Sequence, residues 1–150
     1  MLRSLLIGII AGQRAMTPLA LASGAARQGK LDEGTLPSLL AHPLVSAGTV
    51  AMAGAEMAGD KMTTAPDRTV AAGLIGRTIT SAAAGAAFAP KDRRVAGAAL
   101  ATAAALATSF GGLWLRKRAM ARYGQTASGF VEDALLVGSG LAVALALPRR

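Results

Sequence analysis

Five stretches of about twenty mainly apolar residues, parted only by short gaps, leave this chain little surface to offer to water. They cover 2–26, 37–59, 69–89, 95–115 and 130–147. The gaps, RQGKLDEGTL, DKMTTAPDR, PKDRR and RKRAMARYGQTASG, carry charge or helix breakers and are too short to hold a soluble domain. A membrane β-barrel would need strands that alternate in polarity over about ten residues, whereas these stretches are continuously apolar and rich in Ala, a strong helix former. The expected fold is therefore all-α: one transmembrane domain, 1–150, built as a polytopic bundle of about five Ala- and Gly-rich helices.

Composition agrees and narrows the function. Hydrophobic residues make up 53% of the chain and charged residues only 16%, against about 25% charged in soluble domains. Aromatics are 3%, so the apolar mass is aliphatic and interleaved with 18 Gly, a composition that lets helix backbones approach closely in lipid. With no Cys and one His there is no thiolate site, disulfide or His cluster, and neither a metal nor another cofactor is expected. The net charge of +8 lies mainly in the gaps, without aromatic platforms for bases, so the partner it suits is the lipid bilayer and not nucleic acid. The first residues imitate a signal peptide, with Arg3, an apolar run and Ala20-Leu21-Ala22, but Arg14 interrupts the run and argues against cleavage.

Charge does not orient five spans. One side would hold Arg3, Lys61, Arg68, Arg116, Lys117, Arg118 and Arg122, the other Arg27, Lys30, Lys91, Arg93, Arg94, Arg149 and Arg150, seven against seven. The density of the 116–122 cluster points to a cytoplasmic loop there, and the even count also allows an antiparallel dimer of oppositely inserted chains.

The informative residues are charges within the spans, since each costs about 2.5–3.5 kcal/mol near a helix centre on insertion scales. Arg14 sits midway along the first span and Arg77 well inside the third. Pro18 lacks the N–H that would bond the Arg14 carbonyl, so the first helix is expected to break there, with Thr17 beside the break. Such broken helices line polar cavities in transporters, although a simple proline kink satisfied by Thr17 explains the pattern equally well. Arg77 shares a helical face with Gly73, Thr80 and Ser81, which should point into the bundle. Glu56 and Asp60 lie four residues apart near the end of the second span, followed by Lys61, which is expected to snorkel to headgroups. Glu132 and Asp133 fall in the first turn of the fifth span, where negative charge suits a helix N-terminus, yet two acids exceed what a cap needs. Together Arg14, Arg77, Glu56, Asp60, Lys61, Glu132 and Asp133 form a candidate ion-pair or substrate-binding set. Gly8 to Gly12, Gly54 to Ala58 and Gly111-Gly112 read as packing, and His42 and Trp114 as interface residues. A partial echo between 12–25 and 76–87 follows from low complexity.

At these positions the sequence resembles the bacterial domain-of-unknown-function 4126 family of small membrane proteins. The matching elements are Gly12-Gln13-Arg14-Ala15 with Thr17-Pro18, Glu56 with Asp60-Lys61, Pro66 with Arg68, Arg77, and Glu132-Asp133-Ala134. The resemblance implies a multi-pass protein of the bacterial cytoplasmic membrane with these charges as its signature, and it names no substrate.

The expected function is a small transporter or channel for an anionic or polar solute, Arg14 and Arg77 facing the solute while Glu56, Asp60 or Glu132 balances charge. So short a chain encloses little volume, so a homo-oligomer is expected. The competing expectations are a structural or accessory subunit whose buried pairs serve packing specificity, and a protein that binds lipid headgroups through the same arginines. An enzyme is not expected, because no nucleophile-elbow, phosphate-loop or metal-ligand motif occurs.

Overall fold

The computed structural model describes residues 1–59 and 70–145, and every regular element in them is helical. Seven α-helices follow in order: α1 Leu2–Gln13, α2 Thr17–Arg27, α3 Thr35–Ala41, α4 Pro43–Gly59, α5 Ala71–Phe88, α6 Arg94–Tyr123 and α7 Gln125–Leu145, with a 3-10 turn at Lys91–Arg93 before α6. Two segments, Lys91–Tyr123 and Ala127–Ala144, are long and apolar enough to cross a membrane, and α3 with α4 makes a third if the 73° bend between them is counted as one broken span.

Three features of the sequence expectation change. The break expected at Pro18 is present and divides the first span into two helices; what differs is that the chain reverses there. Arg14 leaves α1 in an extended conformation (φ −139°, ψ 117°), and α2 restarts at Thr17 with Pro18 in its first turn, where the missing N–H costs nothing. The second span divides at His42, which precedes Pro43 and is held extended by the proline ring. The stretch expected as a loop after 115 is helix throughout except for Gly124. Arg, Lys, Ala and Met are good helix formers, and only Gly124, at φ +82°, turns α6 into α7. Glu132 and Asp133 consequently lie in the interior of α7, not in its first turn.

Helix directions follow from the pairings. Gly8 abuts Ala101, and Gly12 abuts Ala105 and Thr108, so α1 and α6 run parallel. Ser4 Oγ donates to the Gly85 carbonyl at 3.0 Å at one end of α1, and α5 returns antiparallel. Arg14 meets Asp133 while Leu21 meets Gly140, so α2 runs parallel to α7. Because α6 and α7 are antiparallel across the Gly124 turn, α1 and α2 must be antiparallel too. The chain thus enters along α1, turns at Arg14–Met16 and comes back along α2. Leu2 and Arg3 accordingly share a pocket with Lys30, Leu31, Phe88 and Pro90. Gly29 (φ +65°) closes α2 there in a Schellman motif, Lys30 N–H donating to Ala25 O and Gly29 N–H to Ala26 O, both 3.0 Å.

Polarity is distributed inside out. Ser4, Ser23, Ser81 and Ser109 are fully buried, and Arg14, Thr17, Ser46, Thr49, Arg77, Thr80 and Asp133 are buried with them. Leu44, Val50, Ile75, Ile79, Val95, Phe110, Phe130 and Leu135 face outward. Such a surface suits lipid, and most of the buried polar groups bond locally or across helices.

Candidate functional site: the tip of a helical hairpin

Twelve residues of α1 rise about 18 Å from its first residue to the tip. The turn itself is fixed by α6. Ser109 Oγ donates to the Gly12 carbonyl at 3.2 Å and Gln13 Nε2 to the Thr108 carbonyl at 3.0 Å, while Thr108 Oγ1 donates to Ile9 O at 3.2 Å. These bonds hold the last turn of α1, and Arg14 leaves it toward α7.

Arg14 is 1% exposed. Its Nε and Nη2 both donate to Asp133 Oδ1, at 3.0 and 2.6 Å. On the other side of the tip, Glu56 of α4 accepts two backbone N–H groups of the turn, Ala15 N–H on Oε1 at 2.7 Å and Met16 N–H on Oε2 at 2.9 Å. The carboxylate therefore sits at the N-terminus of α2, where free N–H groups and the helix dipole favour negative charge. Thr17, the first residue of α2, is 3% exposed, and its Oγ1 makes no hydrogen bond among the described residues.

Arg77 is buried on α5 with Thr80 and Ser81, the face expected from spacing. Eight residues up α1 from Ser4 and eight back along α5 from Gly85 lead to Gly12 and Arg77, so equal rises place Arg77 level with the tip. Glu132 turns elsewhere, pairing with Arg116 Nη1 at 3.3 Å. That pair lines a cleft of about 640 Å³ between α6 and α7, walled by Leu115, Ala119, Val131, Leu135 and Leu136 and reaching Gln13. The cleft thus ends beside the residues that precede Arg14 and Asp133 in the chain. Asp60 and Lys61 lie outside the described residues.

Of the sequence candidates, Arg14, Asp133, Glu56, Thr17 and Pro18 meet at the tip, Arg77 stands at its level, and Glu132 belongs to a second pair. Sequence reasoning missed Thr108 and Ser109, and it read Gln13 only as part of a resemblance motif and Arg116 only as part of the basic 116–122 cluster. Two adjacent hydroxyls in the otherwise apolar middle of α6 were the available signal for Thr108 and Ser109. No group of three or more His, Cys, Asp or Glu able to hold a metal occurs among the described residues. No family model, curated protein or solved structure matches the chain.

Proposed function

We propose that the protein is a multi-pass membrane transporter or channel for a small anionic or polar solute, in a closed state, with the hairpin tip as its solute site. In this reading α3 with α4, α5, α6 and α7 cross the bilayer and α1–α2 forms a re-entrant hairpin, its tip near mid-depth. The single observation that carries it is the tip: a helix start, a buried arginine and two carboxylates from separate helices gathered where the backbone is irregular. Irregular backbone at membrane depth is tolerated where it is buried in protein or lines a cavity, and half-helix ends there bind ions in transporters. Arg14, Glu56 and Asp133, three of the residues that carry the resemblance to the domain-of-unknown-function 4126 family, meet at this tip. A homo-oligomer fits the small volume of one chain.

The test is solute flux in proteoliposomes, with Arg14→Ala and the joint variant Arg14→Met/Asp133→Leu beside the wild type. We expect flux in the wild type and none in either variant. Absent wild-type flux across formate, chloride and small neutral solutes, or full flux in the joint variant, overturns the reading.

A structural or accessory subunit is the second reading, favoured by the internal partners of Asp133, which pairs with Arg14, and of Glu56, which accepts from the Ala15 and Met16 N–H groups. Buried pairs of that kind are replaceable by apolar residues without loss of role. Under that reading the joint variant keeps its cellular phenotype and its partners.

A further inference from the structure

Glu56 holds the start of α2 in an unusual way. Helix N-termini are ordinarily capped by the side chain of the residue just before the first turn, most often Ser, Thr, Asp or Asn. That position is Met16 here, which has no group able to cap, and no local side chain does so. The acceptor comes instead from α4, forty residues away, and uses both oxygens, one on each of two successive N–H groups at 2.7 and 2.9 Å. A planar anion with two neighbouring oxygens is thus what the tip receives. A third donor remains: Thr17 Oγ1 is buried at the same helix start and makes no hydrogen bond among the described residues, although its residue is 3% exposed. The Arg14 guanidinium, one residue before this N–H pair, turns to Asp133 of α7 and leaves the pair to Glu56. Glu56 itself is only half-buried and has three side-chain torsions, so it can swing out of the tip without moving α4.

From this geometry we infer that the hairpin tip is a binding site for a small planar oxyanion, a monocarboxylate or one of its isosteres bicarbonate and nitrate, and that Glu56 is a tethered occupant the free anion replaces. The inference rests on the proposed function and specifies its solute class. The anion takes the Ala15 and Met16 N–H groups with two oxygens and draws on Thr17 Oγ1 as a further donor, one that Glu56 leaves unused. Two properties follow. Spherical anions, with no second oxygen to span the N–H pair, bind less well. Removing the Glu56 carboxylate opens the site to free anions.

The experiment is thermal unfolding of the full-length protein in detergent, titrated with formate, acetate, bicarbonate, nitrate, chloride and formamide at constant ionic strength. Glu56→Ala is expected to unfold several degrees below the wild type without additive. Formate should raise its midpoint with at least a tenfold lower half-effect concentration than in the wild type, while chloride and formamide leave it unmoved. Thr17→Val in the Glu56→Ala background should weaken the formate effect several-fold. If Glu56→Ala does not fold alone, its purification in formate, and collapse on exchange into chloride, is the same result. Glu56→Gln, which keeps one acceptor oxygen, then supplies the titration. Equal responses of wild type and variant to formate, or equal responses to formate and chloride, overturn the inference. The arms among formate, bicarbonate and nitrate say which oxyanion fits. Because this assay needs no flux, formate binding without transport removes the proposed function and leaves the site, whereas transport without formate selectivity does the reverse.

Discussion

At the scale of single residues, Arg14 and Asp133 carry a high electrostatic risk. Each is buried, and each neutralises the other through two donors on one oxygen. Removing one partner of such a pair leaves an uncompensated charge and costs about 3–5 kcal/mol, whereas joint apolar replacement is often neutral. Arg14→Met and Asp133→Leu should therefore each unfold at much lower temperature than the wild type, and the double variant should recover most of the loss, as read by thermal unfolding in detergent. A double variant no more stable than either single one would show that the pair is not the coupled unit. Glu132 provides the contrast. Its pair with Arg116 is 3.3 Å long, with side chains 8% and 19% exposed at the edge of the α6–α7 cleft, so Glu132→Gln should cost roughly 1 kcal/mol. Neighbouring acids thus differ sharply. The sequence marked both but could not assign them, because one helical step of about 100° turns Asp133 toward the tip and Glu132 toward Arg116.

Among the elements, the contact of α1 with α6 fixes the height of the tip, and glycine makes it possible. A Cβ on Gly8 would overlap the Ala101 backbone, and one on Gly12 would overlap Thr108 Oγ1 and the Ala105 carbonyl. Gly8→Ala should therefore cost on the order of 1–3 kcal/mol through forced separation of the two helices. Gly24→Ala, on α2 with no atom within 4 Å of the new methyl, should be neutral or slightly stabilising. Melting both variants side by side checks the pair; equal losses would mean that α1 does not pack on α6 in this register. The glycine spacing announced close packing, and α1 with α6 delivers it, while Gly54 and Gly111 meet nothing within 4 Å. Spacing alone cannot separate these cases, since it records which residues share a face and not which face finds a neighbour.

For the whole molecule, the hairpin changes the path of the chain. Five continuous spans would place residue 2 and residue 28 on opposite sides of the membrane; a re-entrant α1–α2 places them on the same side. In the proposed topology only Arg3 would change sides, so the seven-to-seven balance would become Lys61, Arg68, Arg116, Lys117, Arg118 and Arg122 against the other eight, six to eight. The absence of cysteine makes the test direct. Single cysteines at Leu2, Gln28 and Asp92 should react with an impermeant thiol reagent from one side, and a cysteine at Tyr123 from the other. Labelling of Leu2 and Gln28 from opposite sides would restore the uninterrupted first span.

The sequence by itself determined the solvent-facing chemistry and the local breaks: long apolar stretches that must be helical, small residues for close packing, a proline that frees the Arg14 carbonyl, and a short list of buried charges. Those properties depend on composition and on neighbours within one or two turns. Only the tertiary structure decided the reversal at Arg14–Met16, the choice of Asp133 over Glu132, and the seating of Glu56 on the α2 start. A break permits a kink or a reversal with equal ease, and the difference lies in Ser109, Thr108 and Gly8-to-Ala101 contacts made with a helix some hundred residues along the chain. Partners so distant in sequence are selected by helix register and direction, which local propensity does not encode.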